Sequence, residues 1–161
     1  MRVFVPATLP MLAALQDSGR LDPSGGTAHA VTPALREWFA QADADELDYA
    51  ALADAARGSL RLLAADPGAP CRRVVIAVDL PDATPDAGGG RSAVRLAAPV
   101  GLEQVVAVHV DDAEAEQTVR AAVDALESAG AGDADAAAAV GEPDGFELLW
   151  FATQEIPDLV D

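Results

Sequence analysis

The sequence predicts an α/β protein: a single mixed β-sheet of about five to six strands packed with four to five helices, or the same elements in a segregated α+β arrangement. Three observations predict it. Val74-Val75-Ile76-Ala77-Val78 and Val105 to Val110 are apolar runs without alternation, the pattern of strands covered on both faces. Ala115, Val119, Ala122, Val123 and Leu126 fall on one stripe of a helix while Glu116, Arg120, Asp124 and Glu127 face water. Clear helix starts, such as Thr32-Pro33, separate short β-branched runs. The 161 residues suit one globular domain over 1–161, enough chain to bury roughly two-thirds of its unfolded surface.

The first strand is Val3-Phe4-Val5, stopped by Pro6. Thr8 then caps a helix to about Gln16, with Pro10 in the first turn where a missing N–H costs nothing and Gly19 at the close. Arg2 followed by this apolar stretch has some look of an export signal, but Pro6 and Pro10 interrupt it and no small-residue cleavage site follows. A strand-then-helix start is the expectation. Leu21 to Gly26 reads as loop and Thr27 to Val31 as a short strand. Thr32-Pro33 opens a helix carrying Leu35, Trp38 and Phe39.

A longer helix runs from about Asp45 to Ala65, with Leu52, Ala55, Ala56, Ser59, Leu60 and Leu63 on one side. Gly58 inside it costs about 1 kcal/mol relative to alanine. Asp66-Pro67-Gly68 ends it. After the Val74–Val78 strand, residues 81–92 form a flexible loop, Val94 to Ala97 a strand at an edge, and 105–110 a buried strand. An amphipathic helix spans 112–128, and Glu116 and Arg120 pair four apart along it. Residues 130–145 are Ala-Gly-Asp low complexity, flexible and partly helical, and Phe146 to Ala152 is the last strand.

Ten arginines, no lysine and twenty-seven acidic residues give a formal net charge of -17. Nucleic acid needs cations to displace its counterions, so it is excluded as a partner, as is an anionic membrane surface. No stretch reaches the length of a membrane span. One cysteine, Cys71, rules out an internal disulfide framework, and its neighbours Arg72 and Arg73 lack a cysteine-enzyme signature around them. A cytoplasmic protein is the expectation, without cofactor or resident metal.

The site expectation comes from topology. If the strands 105–110 and 146–152 run parallel across the helix 112–128, their carboxyl ends lie together, where open α/β sheets place ligands. His109 and Asp111 then stand near Thr153, Gln154 and Glu155. His109, Asp111 and Glu155 are the catalytic candidates; Thr153, Gln154 and Arg36 are the ligand-binding candidates. The string from His109 to Glu116 has a metal-binding look, but helix capping by Asp111 or Asp112 with Glu114 explains it better. Trp38-Phe39 and Trp150-Phe151, four of seven large aromatics, are expected in the core. Gly88-Gly89-Gly90-Arg91 lacks the spacing of a phosphate loop, and no metalloprotease helix, nucleophile elbow or paired cysteine motif occurs.

The stretches Thr32-Pro33-Ala34-Leu35-Arg36-Glu37-Trp38, Glu46 to Leu52, Ser59-Leu60-Arg61-Leu62-Leu63, Val108-His109-Val110-Asp111-Asp112 and Trp150 to Leu159 resemble an actinobacterial protein family known as domain of unknown function 6912. The resemblance spans nearly the whole chain and implies an intact domain without lending catalytic residues. The leading expectation is a non-catalytic or accessory module that binds a protein or small-molecule partner, with a two-fold homodimer as the default assembly. The alternative is a small hydrolase or isomerase using His109 with Asp111 or Glu155. An acidic nucleic-acid mimic is a third reading, weakened because the acids are spread over caps, helix faces and loops.

Overall fold

Two helix layers sandwich one sheet in the computed structural model, which describes residues 1–22 and 27–161. In chain order the elements are β1 (Arg2–Ala7), α1 (Leu9–Ser18), β2 (Arg20–Leu21), β3 (Thr27–Ala30), α2 (Pro33–Trp38), α3 (Ala44–Ala65), β4 (Val74–Asp79), β5 (Thr84–Pro85), β6 (Ala93–Arg95), β7 (Val100–Gly101), β8 (Val105–Val110), α4 (Glu116–Gly130), α5 (Ala134–Gly141), β9 (Leu149–Phe151) and α6 (Ile156–Leu159). Seven strands form the main sheet in the order β5-β6-β3-β1-β4-β8-β9, and β2 pairs with β7 as a separate ribbon. The combined helix-and-sheet class is as the sequence predicts. Every strand pair, however, is antiparallel. Of the loop expected at 21–26, Leu21 lies in β2 and residues 23–26 fall outside the described part.

The helix boundaries follow their side-chain chemistry. The Thr8 and Thr32 hydroxyls accept from the N–H groups of Met11 and Leu35, and the Asp43 carboxylate accepts from Glu46 while Glu46 reaches back to the N–H of Asp43. Each satisfies donors that the first helical turn leaves without partners. Gly19 ends α1 in the left-handed region at φ 77, a conformation that disfavours any side chain with a Cβ. Residues 134–141 of the low-complexity stretch are helical, capped by Asp133.

Both faces of the sheet are covered, which is why β4 reads as an unbroken apolar run. Val3, Val5, Val74, Ile76, Val78 and Val110 bury one face against Leu12 and Leu15 of α1, Ile156 of α6, and Leu21 and Val100 of the ribbon. Phe4, Val75, Ala77 and Ala107 bury the other against Leu35 of α2 and Leu47, Ala51, Ala55 and Ala56 of α3. A register shift beside Ala77, where Ala77 faces Ala107 but Val78 faces Val105, lets Val105 and Val108 share the first face. The far end of α3 packs through Leu60 and Leu63 on Ala115, Val119 and Ala122, the stripe foreseen for α4. No helix among the described residues is long and apolar enough to cross a membrane.

Gly58 has a packing reason. A Cβ there would lie 2.8 Å from the Pro6 ring, so only glycine lets α3 approach β1 this closely. At the next position, Ser59 donates to the carbonyl of Ala7 and accepts from the N–H of Val74, tying α3 to two strands.

Three expectations need correction. The strand expected over 146–152 is only β9, a short edge strand, and Leu149 and Trp150 are exposed on it. Trp38, Phe39 and Trp150, expected in the core, are exposed as well, at 62%, 43% and 61%. Val, Leu, Ile and Ala already fill both faces of the central strands, so the aromatics are left to a helix end and an edge. Asp111 does not cap α4: Asp112 holds the capping position ahead of the turn 113–115, without a side-chain bond.

Candidate functional site

The antiparallel pairing of β8 with β9 sets Val108 against Phe151, His109 against Trp150 and Val110 against Leu149. The expected cluster at adjoining carboxyl ends therefore does not form. His109 and Asp111 lie toward one end of the sheet, and Thr153, Gln154 and Glu155 follow β9 toward the other. There the Thr153 hydroxyl donates to the carbonyl of Val105, and the Glu155 carboxylate accepts from the N–H of Ala152 to close its own turn. Gln154 is exposed. Arg36 borders a separate hollow with Arg2, Leu47 and Asp48.

Asp111 is wholly buried, and so is its partner. Its carboxylate accepts from the N–H of Arg73, from Arg73 Nε at 2.8 Å and from Arg73 Nη2 at 2.8 Å. This two-pronged pairing is the geometry in which a guanidinium matches a carboxylate. Arg73 also donates to the carbonyl of Phe146, and Arg72 Nε to the carbonyl of Asp111. The group joins the start of β4, the end of β8 and the approach to β9. Its lone pairs are engaged, so the residue singled out as helix cap or metal ligand acts as a buried clamp.

His109 borders a groove of about 280 Å³ with Tyr49, Leu52, Arg73, Phe146 and Trp150. Burial holds its imidazole below the ordinary value of 6.5, because a charged ring loses solvation there. It is a half-buried strand histidine beside exposed aromatics, without a carboxylate hydrogen bond.

A more organised polar group sits on the other side of α3, around His29. The Ser92 hydroxyl donates to the Asp54 carboxylate at 2.6 Å, and His29 Nδ1 lies 2.9 Å from the same hydroxyl oxygen. Three elements supply the chain: α3 gives Asp54, β3 gives His29, and the residue before β6 gives Ser92. Antiparallel pairing places His29 opposite Ala93, which brings Ser92 within reach. Burial, the largest influence, lowers the His29 pKa from 6.5; Asp54 pulls it up and Arg61 pushes it further down.

His29 forms a wall between two hollows. One, of about 330 Å³, is bordered by Arg57, Arg61, Arg91, Asp54, Trp38 and Gly90. The other, of about 250 Å³, is bordered by Pro6, Thr27, Gly58, Arg61 and Leu62. Arg57 and Arg61 are one turn apart on α3, and Arg91 enters from the turn before β6 with its guanidinium 3.5 Å above the centre of the Trp38 ring. That stacking, together with the bond from Thr32 to the Arg91 carbonyl, fixes the turn against α2. Arg57 pairs with Asp144 at 2.6 Å; among the described residues Arg61 and Arg91 have no carboxylate partner.

None of these residues had a sequence signal as a group. Asp54, His29 and Ser92 are scattered over 63 positions, and only the register of β3 with β6 joins them. The available clue was that arginines are scarce in this chain and two of them stand four apart on one helix. No curated protein and no solved structure matches the chain. Its resemblance over nearly the full length is borne out, because residues 1–160 match one family and the chain belongs to it: the family of unknown function DUF6912.

Proposed function

We propose that the protein is an accessory binding module of the cytoplasm whose ligand is a small anion, seated between α3, β3 and the turn before β6. One observation carries the reading. In a chain of net charge -17, three of only ten arginines border a single hollow, and Arg61 and Arg91 there form no ion pair with any carboxylate of the described residues. Guanidinium groups on concave walls bind carboxylate or phosphate oxygens more tightly than open surface charges do, because less water competes. The overall acidity supports a small anion over a nucleic acid or an anionic membrane, since a polyanion would meet repulsion outside the hollow.

Titration calorimetry with inorganic phosphate, at about 150 mM ionic strength where distant charges are screened, tests this reading. Saturable binding is expected, weakened about tenfold or more in Arg61→Gln and in Arg91→Gln, as loss of a charge-assisted hydrogen bond implies. If phosphate, sulfate and citrate all fail to bind the intact protein, the reading is wrong.

The second reading, a hydrolase or isomerase using His109, draws on the neutral imidazole at the mouth of the aromatic groove. It ranks lower because Asp111 is engaged by Arg73 and Glu155 closes a turn at the opposite end of the sheet.

A further inference from the structure

The main sheet ends differently at its two edges. At one, β5 is Thr84 and Pro85, followed at once by Asp86, which pairs with Arg95 of the neighbouring strand. Proline withholds a donor and the charges hold water, so a further strand is turned away there. At the other edge, β9 is Leu149-Trp150-Phe151, with neither charge nor proline. Strand β8 pairs with one side of it, and among the described residues no strand lies beyond. Residues 23–26 lead into β3, which stands four places from β9 in the sheet. An unguarded edge of this kind offers its backbone N–H and C=O groups to an extended chain.

The α3 side of this edge is the aromatic groove. Trp150 stands opposite His109 across the β8–β9 pair, and both border the groove with Tyr49 and Leu52. Phe151 packs instead into the core on the α1 side, so Leu149 and Trp150 point to opposite faces. The charges of the groove are unequal. Arg73 is neutralised by Asp111, and burial holds His109 below 6.5, so its ring is uncharged near neutral pH. Glu147 is exposed and forms no ion pair among the described residues. Asp45, exposed one turn before Tyr49 on α3, extends the same side. Open aromatic faces beside carboxylates are the chemistry that recognises a cation.

We propose that the free edge of β9 takes up an extended, cationic segment of a partner protein as an added strand. Its alternate side chains fall on the α3 side, where an arginine or lysine lies on the Trp150 ring with Glu147 as counter-charge. The side chains between them fall beside Leu149 and are apolar. A second copy of this chain fits less well, because it would bring another net charge of -17 and its own Glu147 in place of a cation. The surface shares no lining residue with the arginine hollow, so either reading can fail alone.

The test is titration calorimetry of the intact protein with the capped hexapeptide Arg-Val-Arg-Val-Arg-Val, at about 150 mM ionic strength so that distant charges are screened. Saturable one-to-one binding is expected, with the amide resonances of Leu149 to Phe151 shifted in nitrogen-15 NMR. The same peptide N-methylated at every amide keeps its charge but cannot donate to a strand, and should bind at least about tenfold more weakly. Trp150→Ala should weaken the unmethylated peptide about fivefold or more, as loss of a cation–π contact implies. Unchanged affinity in either comparison would overturn the proposal, since the peptide would then be drawn by net charge alone. Failure of the hexapeptide to bind would overturn it as well. So would a dimer in sedimentation that Trp150→Ala dissociates, which would assign the edge to a second copy.

Discussion

Asp111 and Arg73 show what a buried charge demands. Both side chains are nearly sealed, at 0% and 4% exposure, and each charge is tolerable only because the other neutralises it. Asp111→Ala leaves a guanidinium without its counterion between β4 and β8, and should lower stability by about 3–5 kcal/mol in urea unfolding. Replacing both, as Arg73→Met with Asp111→Leu, should restore most of that loss; a double variant as unstable as the single one would show that the pair stabilises by more than mutual neutralisation. From the sequence, His109, Asp111 and the acids after them were visible as residues, but their roles were not. A carboxylate directly after a strand and just before a helix suggests a cap, and nothing local reveals that Arg73 reaches it from 38 positions away. Ser92 was more hidden still, since an isolated serine beside a glycine-rich turn has no pattern of its own.

At the scale of elements, the local chemistry is mostly legible. The caps at Thr8, Thr32 and Asp43, the αL glycine at 19 and the stripe on α4 act within a few residues, and the helices begin and end close to where those signals stand. Gly58 is the instructive case, because a mid-helix glycine reads as a weakness while the sheet beneath requires it. Gly58→Ala gains about 1 kcal/mol of helix propensity but forces a Cβ to 2.8 Å from the Pro6 ring, which the strand cannot easily yield. Overpacking of this kind costs about 1–3 kcal/mol, so thermal unfolding should show a net loss. Gly141→Ala in α5, where a Cβ meets nothing within 4 Å, should be neutral or slightly stabilising. Strand β9 is the element least well read. Its apolar composition suggested a covered strand, yet it pairs on one side only and leaves Trp150 in the open.

The whole molecule carries its excess of negative charge through folding, and a compact state concentrates that charge. Raising sodium chloride from about 20 to about 300 mM should therefore raise the melting temperature, by about 2–4 °C for each kcal/mol of repulsion screened. A melting temperature that falls with salt would mean that the exposed pairs Arg2–Asp79, Arg57–Asp144 and Arg95–Asp86 outweigh the repulsion. By itself the amino-acid order determined the helices and the two-sided burial of the central strands, because these follow from periodicity and capping, both local properties. Strand direction belonged to the tertiary structure alone: an apolar run pairs as well either way, and the choice depends on how the connections pack. That choice separated His109 from Glu155 and brought His29, Ser92 and Asp54 together under three arginines.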